Sequence, residues 1–129
     1  MSANKSIKKE IPEFMKVTYK HEDHDKQEFE GGGHLSHWDG FFNINPKQRE
    51  LGGNYYYMNI TFEDDLGVGE YTLGGKDEPV TAHLEFDRIE GDKCASGTLE
   101  LTQVRPYPEG EFDLVEGKLS AKGTFTFRP

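Results

Sequence analysis

Val80-Thr81-Ala82-His83-Leu84-Glu85-Phe86 opens the stretch that decides the fold, and Leu119-Ser120-Ala121-Lys122-Gly123-Thr124-Phe125-Thr126-Phe127 closes it. In the first run Val80, Ala82, Leu84 and Phe86 share one side of a two-residue period, and Thr81, His83, Glu85 and Asp87 share the other. Between the two runs, Leu99 and Leu101 alternate with Thr98, Glu100 and Thr102. In the last, Leu119, Ala121, Gly123, Phe125 and Phe127 alternate with Ser120, Lys122, Thr124 and Thr126. Such alternation belongs to antiparallel strands with one face buried and one wet. The stretch from Val80 to Phe127 therefore predicts a meander of four strands.

The turns fit those faces. Glu116-Gly117 reads as a two-residue hairpin loop that sets Val115 opposite Lys118, Leu114 opposite Leu119 and Phe112 opposite Ala121. Glu90-Gly91-Asp92-Lys93 reads as the turn that brings Phe86 back toward Leu99. Two prolines in Arg105-Pro106-Tyr107-Pro108-Glu109-Gly110 remove ladder donors, so this segment is expected to be an exposed loop.

Upstream, Phe14–Tyr19 reads as a strand and His21–Lys26 as an exposed polar turn. Glu28-Phe29-Glu30 reads as a strand fragment ending at Gly31-Gly32-Gly33, a flexible turn or a closely approached backbone. A strand is expected over Trp38–Ile44, with Trp38, Gly40, Phe42 and Ile44 inward. Asn45-Pro46 opens either a plain loop or one short helical turn ending at Gly52. Tyr56, Met58, Ile60 and Phe62 form the buried face of a strand over Asn54–Phe62, and Gly69–Leu73 is a short strand. The expectation is an all-β, single-domain antiparallel sandwich or small barrel of about eight strands with at most one short helical turn. Residues 1–12 read as a flexible polar tail and 13–129 as the β domain.

Composition narrows the partners. Fifteen basic against 24 acidic side chains give a net charge of −9, which argues against nucleic acid and anionic lipid as partners. It suits a basic protein partner or good solubility. A single cysteine, Cys94, excludes an intramolecular disulfide. No apolar leader or spanning segment is visible, so the cytoplasm is the expected location.

Three groups of side chains are candidates for chemistry. Four of the five histidines form two H-x-x-H pairs, His21/His24 and His34/His37, the residue type that binds a divalent transition metal. That spacing serves a helix better than a strand, and a solvated polar loop is the simpler reading. Trp38, Tyr55, Tyr57 and Tyr71 are candidates for an aromatic platform facing a sugar or a protein, with cross-strand packing as the bland alternative. The acidic turns Glu63-Asp64-Asp65 and Asp77-Glu78 lack the donor spacing of a calcium loop. No nucleophile elbow and no phosphate-binding glycine loop occurs. The expected function is thus a non-catalytic protein-interaction module of inhibitor, immunity or adaptor type. The alternatives are a small-ligand or carbohydrate binder in a barrel or sandwich cleft, and a metal-binding protein or metalloenzyme using the histidines.

Overall fold

The computed structural model describes residues 14–47, 56–74, 78–86, 89–90 and 95–127. Eleven strands occur among them: β1 (Phe14–His21), β2 (Gln27–Gly31), β3 (Gly33–Trp38), β4 (Phe41–Pro46), β5 (Tyr56–Glu63), β6 (Gly69–Leu73), β7 (Val80–Phe86), β8 (Ile89–Glu90), β9 (Ser96–Gln103), β10 (Glu109–Glu116) and β11 (Leu119–Thr126). They form two antiparallel sheets: a six-stranded one ordered β2-β1-β11-β10-β9-β6 and a five-stranded one ordered β3-β4-β5-β7-β8, whose last member is a two-residue bridge. The architecture is an all-β sandwich and not a closed barrel.

The inward faces are those that the period-2 pattern assigns. Met15, Val17 and Tyr19 of β1, Tyr56, Met58, Ile60 and Phe62 of β5, and Leu114, Leu119 and Phe125 of the C-terminal hairpin are all buried. They meet in one core between the sheets, where Tyr19 stacks on Tyr56 with centroids 5.2 Å apart. Alternating burial of this kind is what lets each strand place its apolar set against the facing sheet and keep its polar set in water.

Four features depart from the sequence-based expectation. First, Val80–Phe86 does not lie beside Leu99: β7 pairs with β5 in one sheet, while β9, β10 and β11 form a meander in the other. Alternation identifies the wet side of a strand but carries no label for its sheet. Second, the hairpin loop is Gly117-Lys118, so Glu116 faces Leu119, Leu114 faces Ala121 and Phe112 faces Gly123. This shift preserves the faces and turns the Glu116 side chain inward. Third, Trp38–Ile44 is not one strand. Asp39 and Gly40 adopt φ values of 47° and 82°, the double positive φ of a primed two-residue turn, and split it into β3 and β4. Gly40 is therefore not inward, and Trp38 is half-exposed.

Fourth, the triple glycine is a corner between the sheets. One extended run, interrupted only at Gly32, pairs with β1 through its first half and with β4 through its second. At Gly33 a Cβ would stand 2.6 Å from Met15 Sδ and 2.9 Å from Phe127 Cζ, so the close-approach reading of these glycines is the one realised. Beyond it, His34 to His37 are part of β3 rather than a loop. The short helical turn considered after Asn45-Pro46 falls outside the described residues; Pro46 itself ends β4.

Candidate functional site

Three connections meet at one end of the sandwich. They are the β3–β4 turn at Asp39-Gly40, the β5–β6 connection from Asp64 to Val68, and the β9–β10 connection from Val104 to Pro108. All three are joined at Asp64. Its backbone N–H donates to the Gly40 carbonyl at 2.8 Å. Its carboxylate Oδ2 lies 2.6 Å from His37 Nε2. Its carbonyl accepts from Arg105 Nη1 at 2.8 Å, and the same guanidinium reaches the Leu66 carbonyl at 3.4 Å. The His37 ring stacks on Phe42 with centroids 4.3 Å apart. Two of the loops are further tied to their own strands. Tyr71 donates its hydroxyl to the Gly67 carbonyl at 2.7 Å, and Gln103 donates its amide to the Tyr107 carbonyl at 2.9 Å.

A cleft of about 260 Å³ opens where these groups meet, lined by His37, Phe42, Asp64, Asp65, Arg105 and Pro106. A second of about 260 Å³ lies on the other flank of Arg105, beside Leu66 and Val68. The same three connections carry or adjoin apolar side chains turned to water: Trp38 is 50 % exposed, Phe41 38 %, Val68 66 % and Tyr107 38 %. These are four of the six large apolar side chains that the described residues leave exposed, and they sit on or beside three connections far apart in sequence. Isolated exposed apolar residues need no explanation, but four of them at one end of a sandwich do.

The outer face of the six-stranded sheet adjoins this end. Glu70 of β6, Glu100 of β9 and Glu111 of β10 are direct cross-strand neighbours, and Asp113 follows two residues along β10. They border a shallow cleft of about 360 Å³ in which Lys122 is the one cation among the lining residues. Like charges placed directly opposite one another destabilise a sheet.

The aromatic candidates among the described residues divide between the two sheets. Trp38 and Tyr57 lie on the five-stranded sheet, Tyr57 half-buried opposite Glu85, whereas Tyr71 packs its ring on the core from the six-stranded sheet. Tyr55 lies outside the described residues. Among the histidines, His21 and His24 flank the β1–β2 turn with rings edge to face at 4.8 Å, and His34 and His37 lie on β3. His37 is engaged by Asp64. No group of three His, Cys, Asp or Glu side chains placed to hold a metal occurs among the described residues.

Sequence reasoning did not single out Asp64 as a hub, nor Arg105 or Phe41. The usable signals were the Asp39-Gly40 dipeptide, the strongest short hairpin cue, and one arginine set in a proline-bracketed loop.

A second polar cluster joins the two sheets. Glu116, buried at 2 % exposure, accepts the Leu84 N–H at 2.8 Å through Oε1. Its Oε2 lies 3.3 Å from His83 Nδ1, and His83 Nε2 lies 3.3 Å from Glu85. The separations suit ion pairs, yet neither ring nitrogen is oriented for a hydrogen bond. No helix among the described residues is long and apolar enough to cross a membrane. No known family, curated protein sequence or solved structure matches this chain.

Proposed function

We propose that the chain is a non-catalytic protein-interaction module, of the inhibitor, immunity or adaptor type, that grips a basic partner with its three-loop end. The observation that carries this reading is the triple engagement of Asp64, which holds three loops and their exposed Trp38, Phe41, Val68 and Tyr107 in one fixed arrangement. Aromatic side chains and arginine dominate interface energetics, and fixing them before contact removes part of the ordering cost of binding. His37 and Arg105 are both committed to bracing the loops, which favours a binding role over a catalytic dyad. The carboxylates of Glu70, Glu100, Glu111 and Asp113 supply a negative field beside this end. Such a field speeds encounter with a positively charged partner and does so less as salt rises. A ligand held between the sheets gains no comparable support, since core side chains fill that space and the described clefts open on the outside.

Affinity purification at low salt, run in parallel with Trp38→Ala and Tyr107→Ala chains, tests the reading. A partner retained by the natural chain is expected to lose about 2 kcal/mol of binding, close to thirtyfold, on either truncation. Asp64→Ala removes the carboxylate link to His37 and keeps both main-chain bonds, so it is expected to cost about threefold in affinity while the far-ultraviolet circular dichroism stays unchanged. Retention that is equal for all these chains, or no specific retention by the natural one, defeats the proposal.

A further inference from the structure

We propose a second binding site, on the outer face of the five-stranded sheet, for a neutral polyhydroxylated ligand of the oligosaccharide class. Across β3, β4, β5 and β7 one row of side chains on this face reads Ser36, Asn43, Thr61, Thr81, each directly opposite the next. The adjoining row pairs His34 with Asn45 on β3 and β4, and Asn59 with His83 on β5 and β7. These eight positions carry no Asp, Glu, Lys or Arg, in a chain where such residues make up 30 %.

Strand geometry does not impose this neutrality. On the outer face of the other sheet the corresponding row reads Glu30, Lys16, Thr124, Glu111, Glu100, Glu70. Solubility alone is better served by charges than by amides, and amides and hydroxyls have a different virtue: each both donates and accepts in fixed directions. The network already has a polarity. Asn45 donates its amide to Asn43 Oδ1 at 3.4 Å, and Asn43 donates its own to Thr61 Oγ1 at 2.6 Å. The Thr61 hydroxyl proton, the second amide proton of Asn43 and the Asn45 side-chain oxygen Oδ1 are left over for a ligand. A sugar hydroxyl needs both a donor and an acceptor beside it.

An apolar wall completes the site. Trp38 and Phe41 are cross-strand partners in the row that follows Ser36 and Asn43, a row that ends in Glu63 on β5, and their exposure of 50 % and 38 % offers flat area to the C–H face of a pyranose ring. A phosphate or sulfate is a poor occupant, because neither neutral row supplies a lysine or arginine and His83 lies between Glu85 and Glu116.

This site shares Trp38 and Phe41 with the protein-binding end, and the two readings fail separately, since Thr61 belongs to the sheet face alone and Tyr107 to the loop end alone. The full chain is titrated, by calorimetry and by protein-observed magnetic resonance, with a panel of neutral gluco-, manno- and galacto-oligosaccharides, alongside sulfated and sialylated ones. The expected result is saturable binding of at least one neutral oligosaccharide, little altered by salt. Binding should weaken at least about tenfold in Thr61→Val, which keeps the shape and strand preference but not the hydroxyl, and in Trp38→Ala. Tyr107→Ala, at the loop end, should bind the sugar as the natural chain does. The proposal is overturned if the folded chain binds no neutral oligosaccharide at about millimolar concentration, if only charged glycans bind, or if Thr61→Val binds unchanged.

Discussion

Replacing Glu116 with alanine is expected to lower the free energy of unfolding by about 3 kcal/mol, among the largest effects available to a single polar side chain here. Glu116 stands on β10 of one sheet and its carboxylate reaches β7 of the other, at a stretch where β7 has no strand beyond it among the described residues. The free edge of β7 is satisfied from outside: the Ala82 carbonyl takes the Ala95 N–H at 2.9 Å, and the Leu84 N–H gives to Glu116. Alanine leaves the Leu84 N–H buried without an acceptor, which costs about 1–3 kcal/mol, and adds a cavity term. Glutamine keeps an acceptor oxygen and nearly the same volume, so Glu116→Gln should cost about 1 kcal/mol. Urea denaturation of the three chains, with slopes compared to establish two-state behaviour, gives both differences. Equal losses for alanine and glutamine would show that the charge, through His83, and not the Leu84 contact, holds the sheets together at this point.

Glu116 also shows where the sequence was legible and where it was not. Its neighbours Phe112, Leu114, Leu119, Ala121 and Phe125 announce their burial by alternation, because the two-residue period is a property of each strand alone. The same period makes Glu116 an inward residue, yet a carboxylate beside a glycine reads as the start of an exposed turn. Only a partner on another sheet, more than thirty residues away, makes the inward placement affordable. The loop end has the same character. Trp38 was legible as a candidate from residue type. Its position at a strand end was encoded in Asp39-Gly40 and hidden by an apolar pattern that runs across the turn without a break in parity. Asp64, joined to His37 and Arg105 over 27 and 41 residues, had no local signature at all, since acidic turns between strands are common for solubility alone. Local chemistry is thus read from local sequence, while sites built from several connections are set by sheet order, which alternation leaves open.

Gly123→Ala is expected to cost about 3 kcal/mol, a methyl group with the effect of a core deletion. Gly123 sits on β11 between β1 and β10, opposite Val17 on one side and Phe112 on the other. A Cβ there would fall 1.8 Å from the Lys16 carbonyl oxygen and 3.0 Å from Val17 Cα, both main-chain atoms that cannot rotate aside. Gly97 on β9 makes a similar approach, its Cβ position 2.0 Å from the Asp113 carbonyl oxygen. Alanine forces β1 away from β11 at the centre of its ladder and disturbs Met15, Val17 and Tyr19, which are among the most completely buried side chains. Strand propensity pulls the opposite way, since glycine in a strand interior is itself unfavourable by up to about 1 kcal/mol, so the expected sign is a test of geometry against propensity. Ser120→Ala on the same strand, away from any such approach, should stay within about 0.5 kcal/mol of the natural chain and serves as the control. Denaturation midpoints compared for these chains decide the matter. A Gly123→Ala chain as stable as the control would mean that β1 and β11 part at this point at no cost, and that their close approach is a consequence of packing and not a condition for it.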